Sequence, residues 1–542
     1  MMKANTLVMS GAFCKGDVLS EYGPVPSAFL PIGMTPIYSL QLQKFRSVSD
    51  RYIITLPHNY ALTNHDASIL RQNHVEVLTV SPDDTVNEAI LAALKKAKLT
   101  GPVRIIFGDT LVEGFSEISD SIVTSSSIDY YDWTGAIINE AGKIVFKNSV
   151  GDDSLRETII VGHFVFSSPT LIADAIEQTD TIADALNLYN AKITLNLIRA
   201  KKWLDVGHMS RLTKSRQEYL VSRAFNSISI HSKIVTKRSS DKFKLQSELE
   251  WFQALPENLQ QFTPKLISDR VRNSGPDEYP YSYSTEYLHL PTLAELAIFG
   301  RLPCYRWRHL IERCLDFIRL AKIEFEKSKD DLVKEIRTEE IFENLFYKKT
   351  QSRISRFLLQ RGWSKNQTFW LDGKQVPSLF DISEYFINMI EPTKNSHLTI
   401  LHGDFFFSNI LYDSRADQIK VIDPRGHYNP NLSSIVGDWR YDVAKLGHSM
   451  YGRYDHIVSG FQYFETDSEF MFRSKTNIFD PIYESYLLHS INGKSVLDFE
   501  IKSIIGLLFL SMLPLHDEDC ARQNQFLANC FRIFRECQDQ TC

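Results

Sequence analysis

The sequence predicts an α/β protein built from more than one module. A mostly parallel sheet with crossover helices is expected over residues 1–218, followed by a two-lobed α+β part with a small lobe over 219–290 and a large one over 291–542. Three observations predict this. Short apolar runs alternate with amphipathic helical patterns through the first 110 residues, the pattern of a parallel sheet. Beyond residue 219 it gives way to two adjacent β-type runs and a helix. At 542 residues the chain is also too long for one ordinary core.

The first buried strand is expected at residues 4–10, ahead of a loop carrying Gly11, Gly16 and Gly23. Pro36–Phe45 reads as a helix, Arg51–Leu56 and Val75–Val80 as strands, and Val86–Lys98 as a strongly amphipathic helix. Val103–Phe107 is the fourth strand and runs into Gly108-Asp109. Ligands of such sheets bind outside the carboxyl ends of the strands. The loop after Ser10 and the Asp109 turn both belong there. Gly11 permits close backbone approach, and Asp109 offers oxygen to a metal or a hydroxyl.

Ser227–Ser239 reads as two antiparallel strands, the second ending at Lys237. Lys242–Leu255 is a helix bearing Glu248, with Glu250 as the alternative. A strand lysine paired with a helix glutamate is how a kinase small lobe grips the phosphates of ATP. No G-x-G-x-x-G run covers those phosphates, so Ser222–Ser229 is expected to serve. Tyr279–Leu290 reads as a strand and hinge, where backbone groups from Glu286 to Leu288 would pair with adenine. Trp307–Phe325 and Glu340–Leu359 carry apolar residues at helical spacing. Glu326–Lys334 is a charge run, read as a solvated face, and Asp498–Phe534 supplies two closing helices. Between them His516-Asp517-Glu518-Asp519 reads as a polar connection that could face a cationic acceptor.

Composition bounds the function. Hydrophobic residues make up 43% and charged residues 23%, an ordinary soluble balance. A net charge of −6 gives no basic footprint, so no nucleic acid is expected as a partner. Seven scattered cysteines show no C-x-x-C or zinc spacing and read as free thiols of a reducing compartment. The N-terminus lacks a signal-peptide pattern, and the most apolar run, Ile504–Leu515, is too short to span a bilayer. A cytoplasmic location and no membrane span are therefore expected.

The stretch Leu401–Gly426 carries the chemistry. His402-Gly403-Asp404 is followed by four residues and Asn409, and the apolar strand Ile419–Ile422 delivers Asp423. Phosphoryl transfer from ATP needs a carboxylate near the acceptor hydroxyl and oxygen ligands for Mg²⁺. Asp404 fits the first task. Asn409 and Asp423 fit the second, since Mg²⁺ is hard and takes oxygen.

The run HGDxxxxN, hydrophobic strand and Asp resembles the aminoglycoside phosphotransferase and choline kinase family. That resemblance implies Asp404 as catalytic base and Asn409 and Asp423 as Mg²⁺ ligands. Gly437–Ala444 resembles the segment that braces the family's catalytic loop, which implies a structural role for Asp442.

The first 215 residues or so resemble the sugar-phosphate nucleotidyltransferases, a Rossmann-like fold. LVMSG (Leu7–Gly11), PSAFLPIGMTPI (Pro26–Ile37), IIFGDTL (Ile105–Leu111), VGHFVFSSPTL (Val161–Leu171) and WLDVGH (Trp203–His208) recur in the family's order. The resemblance implies a nucleotide, sugar-phosphate or nucleotide-sugar site near Gly11, Asp109 and Asp205. There are departures. The family's phosphate-binding lysine is Ser27 here, and the first loop offers only Lys15. A serine cannot supply that charge. Together the resemblances imply a small-molecule kinase using ATP and Mg²⁺ on a hydroxyl of a sugar, sugar phosphate or amino alcohol. It would be fused to a nucleotidyltransferase-like module, in surface polysaccharide or glycoconjugate biosynthesis. The alternatives are a kinase with a non-catalytic sugar-nucleotide-binding module, or a two-module binder.

Overall fold

The computed structural model describes residues 3–127, 129, 131–140, 142–148, 157–223, 228–231, 233–273, 279–328, 337–426, 435–475 and 480–541. The chain divides into two compact units. The first is Met1–Leu220 with Phe299–Arg301, the second Val221–Ile298 with Leu302–Cys542.

The first unit is built on a nine-stranded sheet that is parallel at its centre. Strand Ala4–Met9 lies between Ser49–Pro57 and Val103–Phe107, parallel to both, so Leu7 faces Ile53 on one side and Ile105 on the other. These three residues are almost wholly excluded from solvent, as expected for strands covered on both faces. Glu76–Val80 adds a further parallel strand beside Ser49–Pro57. Helix Val86–Ala97 begins in a Thr85/Glu88 capping box. It buries Ile90, Ala93, Leu94 and Ala97, the spacing of one helical face. Burying Ile90 and Leu94 contributes about 1.5–3 kcal/mol each, and the alanines less.

On the other side Ile159–Phe166 runs antiparallel to Val103–Phe107 and carries the sheet on into antiparallel strands. Beyond that edge the sequence pattern gave no warning of strands Thr134–Ile138 and Ile144–Asn148, which are short and half-exposed. A separate two-stranded ribbon pairs Thr110–Glu113 with Lys202–Asp205, setting Asp205 opposite Thr110.

The second unit opens with an antiparallel four-stranded sheet in which Ile234–Ser239 lies between Ile228–His231 and Tyr281–Glu286. Lys237 sits two residues inside the strand end rather than at it, opposite Tyr283. Helix Lys242–Ala254 follows, N-capped by Asp241. The rest is largely helical, including Cys304–Lys327, Lys348–Arg361, Trp439–Met450, Phe499–Met512 and Cys520–Thr541. The helix expected over Glu340–Leu359 is not continuous: a π-helical turn at Glu343–Tyr347 separates Thr338–Phe342 from Lys348–Arg361. Residues 224–227 of the expected phosphate loop and residues 329–334 of the charge run lie outside the described residues.

Among the described residues no helix is long and apolar enough to cross a membrane. Among them Cys14, Cys304, Cys314, Cys520, Cys530 and Cys537 form no disulfide.

Candidate functional site

In the second unit the hairpin Ile410–Asp413 with Gln418–Val421 carries the key stretch. Asn409 stands just before its first strand and Asp423 two residues after its second. Asp423 has a left-handed backbone (φ 54°), a conformation that aspartate tolerates better than most residues. Ile422 N–H donates to the Asn409 carbonyl oxygen (3.0 Å), tying the two together.

Asp404 is positioned by buried struts. The main-chain N–H groups of His402 and Gly403 donate to the two oxygens of Asp442, each at 2.8 Å. Burial pushes the Asp442 carboxyl up to about 7, against those two hydrogen bonds. Trp251 Nε1 donates to the Leu401 carbonyl at 2.8 Å. His402 is fully buried, which drives its pKa down to about 4 and keeps the ring neutral. It accepts from Asp404 N–H at Nδ1 (3.3 Å), so Nε2 carries the proton and donates to Ile422 O (3.1 Å).

Lys445 Nζ lies 2.7 Å from Asp404 Oδ1. Burial would raise the Asp404 carboxyl; the Lys445 charge and hydrogen bond more than offset it, and the carboxyl lies below its ordinary value. Asn409 Nδ2 donates to the Asp404 main-chain oxygen (3.0 Å) and to its Oδ2 (3.3 Å). That orientation leaves the amide oxygen of Asn409 as its available ligand atom.

Lys237 bridges two carboxylates, Glu248 Oε2 at 2.7 Å and Asp423 Oδ1 at 3.2 Å. Burial opposes its charge, but the two carboxylates carry its pKa above the ordinary lysine value. Burial raises the Glu248 carboxyl in spite of Lys237 and a hydrogen bond from Tyr283 Oη at 2.9 Å. Glu250, the alternative partner, instead accepts from Gln246 on its own helix. Lys237, Glu248, Asp404, Asn409 and Asp423 thus line one cavity of about 660 Å³.

Backbone groups from Glu286 to Leu288 are expected to meet adenine, and two N–H groups of that stretch are engaged within the protein. Glu286 N donates to Lys265 O (2.9 Å) and Tyr287 N to Lys233 O (2.8 Å). The acidic connection is also spoken for: Glu518 and Asp519 pair with Arg522 at 2.7 and 3.5 Å, and Asp517 accepts from Gln360 at 3.3 Å.

Lys445, Lys349, Arg353 and Arg425 line the same cavity and were missed in the sequence. Lys445 had a local signal, lying three residues after Asp442 and so on the same helical face. Lys349 and Arg353 come from a helix more than 50 residues before Asp404, where no local pattern points to them.

In the first unit a cleft of about 750 Å³ is lined by Gly11, Lys15, Ser27, Asp109, Tyr131 and His208 among others. Lys15 is the only Lys or Arg among its described lining residues. Asp109 and Asp205 are brought together by the two-stranded ribbon: a Cβ at Gly207 would stand 2.6 Å from Asp109 Oδ2 and 3.3 Å from Asp205 Oδ1. Burial, then the neighbouring Asp205 carboxylate, pushes the Asp109 carboxyl up to about 7. Asp205 is itself held by Gly207 N–H at 2.7 Å, with His208 at 3.6 Å. Gly11 lines the cleft, but a Cβ there would lie 2.1 Å from Val80 Cγ2. Packing against Val80 therefore favours glycine at this position in addition to its place on the cleft lining.

No protein-family model matches the sequence, and no curated protein matches it. Solved structures of nucleotidyltransferases match over the N-terminal two-fifths of the chain. A protein described as a glucose-1-phosphate thymidylyltransferase from Bacillus anthracis, in complex with a sucrose, is 15% identical; the match covers 41% of this chain and 96% of that one (TM-score 0.33). UTP-bound UGPase from Acinetobacter baumannii is 18% identical over 41% of this chain and 95% of its own (TM-score 0.31). The inositol-1-phosphate CTP transferase from T. maritima is 14% identical over 40% and 97% (TM-score 0.31). Likeness at this level carries no inference about chemistry.

Proposed function

We propose that the second unit is a small-molecule kinase that moves the γ-phosphoryl group of ATP to an acceptor hydroxyl, and that the first unit binds a nucleotide or nucleotide-sugar. The observation that supports the kinase reading is Lys237 held between Glu248 and Asp423 in the cavity that also contains Asp404 and Asn409. A lysine–glutamate pair, a base carboxylate and two oxygen ligands are what phosphoryl transfer asks of a protein.

The residues present fit Mg²⁺. Asp423 and the amide oxygen of Asn409 are hard oxygen donors on the lining of the cavity. When bound, the ion would neutralise charge on the phosphates during transfer. Lys237 binds and orients the phosphates, and Glu248 fixes its direction. Leu288 is the candidate backbone N–H for adenine, since those of Glu286 and Tyr287 are engaged. Asp404, held ionised by Lys445, receives the acceptor's hydroxyl proton as that oxygen bonds to phosphorus and the bond to the ADP oxygen breaks. Asp442 acts through the loop backbone and is a positioning residue.

The test is ADP release from the whole protein across a panel of sugars, sugar phosphates and amino alcohols. The Asp404→Ala variant should lose roughly a hundredfold in kcat while still binding ATP. Near-normal turnover in that variant would sink the reading. The fusion suggests consecutive steps, phosphorylation and then nucleotidyl activation, toward a glycoconjugate. Ser27 and the single Lys15 favour a second reading for the first unit, a module that binds a sugar nucleotide without making one.

A further inference from the structure

We infer, resting on the kinase reading, that the phosphate acceptor is an anion: a hydroxy compound bearing a carboxylate or a phosphate monoester near the hydroxyl that reacts. The cavity is electrostatically divided. Its described carboxylates are Asp241, Glu248, Asp423 and Asp404. Asp241 caps its helix by accepting from Lys244 N–H at 3.0 Å, and Glu248 and Asp423 take Lys237. Asp404 is left facing Lys445, Lys349, Arg353 and Arg425. Lys445 uses Asp404. Lys349 and Arg353 hydrogen-bond neutral oxygens, Tyr441 Oη at 3.1 Å and Ser511 O at 2.9 Å.

Burial, with the charges of Arg425, Arg353 and Lys445, pushes the Lys349 ammonium well below its ordinary value. Clustered cations in a poorly solvated pocket are costly unless an anion joins them. Guanidinium and ammonium groups are the usual recognisers of carboxylate and phosphate. His448 adds a polar atom on the same lining: it is 1% exposed, and its Nε2 has no hydrogen-bond partner among the described residues.

The same field repels a cationic acceptor such as an amino alcohol. The acidic connection at 516–519 does not offset it, because its carboxylates pair with Arg522 and Gln360 and none is among the described lining residues. In the transfer itself the acceptor oxygen bonds to the γ-phosphorus and its proton goes to Asp404. The bond to the β-phosphate oxygen breaks, and ADP leaves with that electron pair. The acceptor's anion takes no part in bond making. It seats on Lys349 and Arg353 and decides which hydroxyl Asp404 meets.

The test is calorimetry on the full chain with inorganic phosphate, glycerate, glycerol 3-phosphate, glycerol and choline, paired with ADP release for each hydroxy compound. The anions should bind at least about tenfold more tightly than glycerol or choline, and glycerate against glycerol 3-phosphate separates carboxylate from phosphate. Lys349→Met and Arg353→Gln should each weaken the anions about tenfold while leaving ATP affinity within about twofold. Lys349→Met should not lower Tm, since it removes a poorly compensated charge, so lost binding is not lost folding. Equal or better binding of glycerol or choline, or no anion binding at millimolar concentration, overturns the inference. So does a loss confined to ATP, which would assign the cations to the nucleotide. Anion binding without ADP release from any acceptor leaves the pocket standing and removes the kinase reading.

Discussion

Lys445→Met should move the acid limb of the kinase pH profile upward. The lysine is nearly buried, 8% exposed, and its Nζ is 2.7 Å from Asp404 Oδ1. Burial alone would lower its own pKa, but Asp404 carries it above the ordinary lysine value, so the pair is ionised at neutral pH. A hydrogen bond to a charged group is worth about 1.5–3 kcal/mol, equivalent to about 1–2 pKa units on the carboxylate. With the lysine gone, burial of Asp404 is opposed mainly by the weaker influences of His402 and Lys349. Its pKa should then rise above the ordinary carboxylate value. The base works ionised, so activity is lost as pH falls through that pKa, and raising the pKa moves the loss to higher pH. The stability term has the same sign: a depressed carboxylate stabilises the fold above its unfolded pKa and loses that contribution as pH falls through the folded value. ADP release between about pH 4 and 9 should place the variant's acid limb of kcat/KM about 1–2 units above wild type. An unmoved acid limb, with any loss uniform across pH, would show that Lys445 does not set the ionisation of Asp404.

Three further outcomes are expected. Asp423→Asn should weaken Mg²⁺-dependent ATP binding far more than Asn409→Ala, because it removes a charge beside a dication; Mg²⁺ titration at fixed ATP checks this, and equal, metal-independent effects count against both roles. In the first unit a nucleoside diphosphate-sugar should bind better than any free NTP, and Asp109→Ala should weaken it. Tight NTP binding with pyrophosphate release would show instead that Ser27 does not prevent catalysis. Glu117, 1% exposed, sits between Arg104 (2.6 Å) and His163 (3.0 Å). Burial is outweighed there by Arg104 and His163, and the carboxyl falls from 4.5 to about 2. The shift is worth about 3 kcal/mol, present above pH 4.5 and lost as pH falls toward 2. Glu117→Gln should therefore lower Tm at neutral pH and flatten that acid slope, and an unchanged Tm would refute it.

How much of this was legible in the sequence follows from how local each signal is. The parallel core of the first unit was readable because its central strands are buried apolar runs, such as residues 4–10 or Val103–Phe107, and helix Val86–Ala97 has a periodic face. The antiparallel edge was not, because Thr134–Ile138 and Ile144–Asn148 are half-exposed and lack such runs. Asp404, Asn409 and Asp423 lie within 20 residues of one another, and the spacing of motif and strand announced them. Glu248 was separable from Glu250 only in three dimensions, where the helix turns the first toward Lys237 and the second toward Gln246. The same limit hid the cations that share the cavity with Asp404. A lysine on a surface-like helix gives no sign that its stem is buried, and Lys349 has that sequence context. What distinguishes it is the company it keeps: Arg353 one turn on, Lys445 from a helix 90 residues later, and one carboxylate among them. Asp404, Asn409 and Asp423 come from one loop and hairpin, whereas Lys237, Glu248 and the cations reach the cavity from distant elements. Acceptor walls are assembled from distant elements, so substrate choice becomes visible only when charge is counted across the folded cavity.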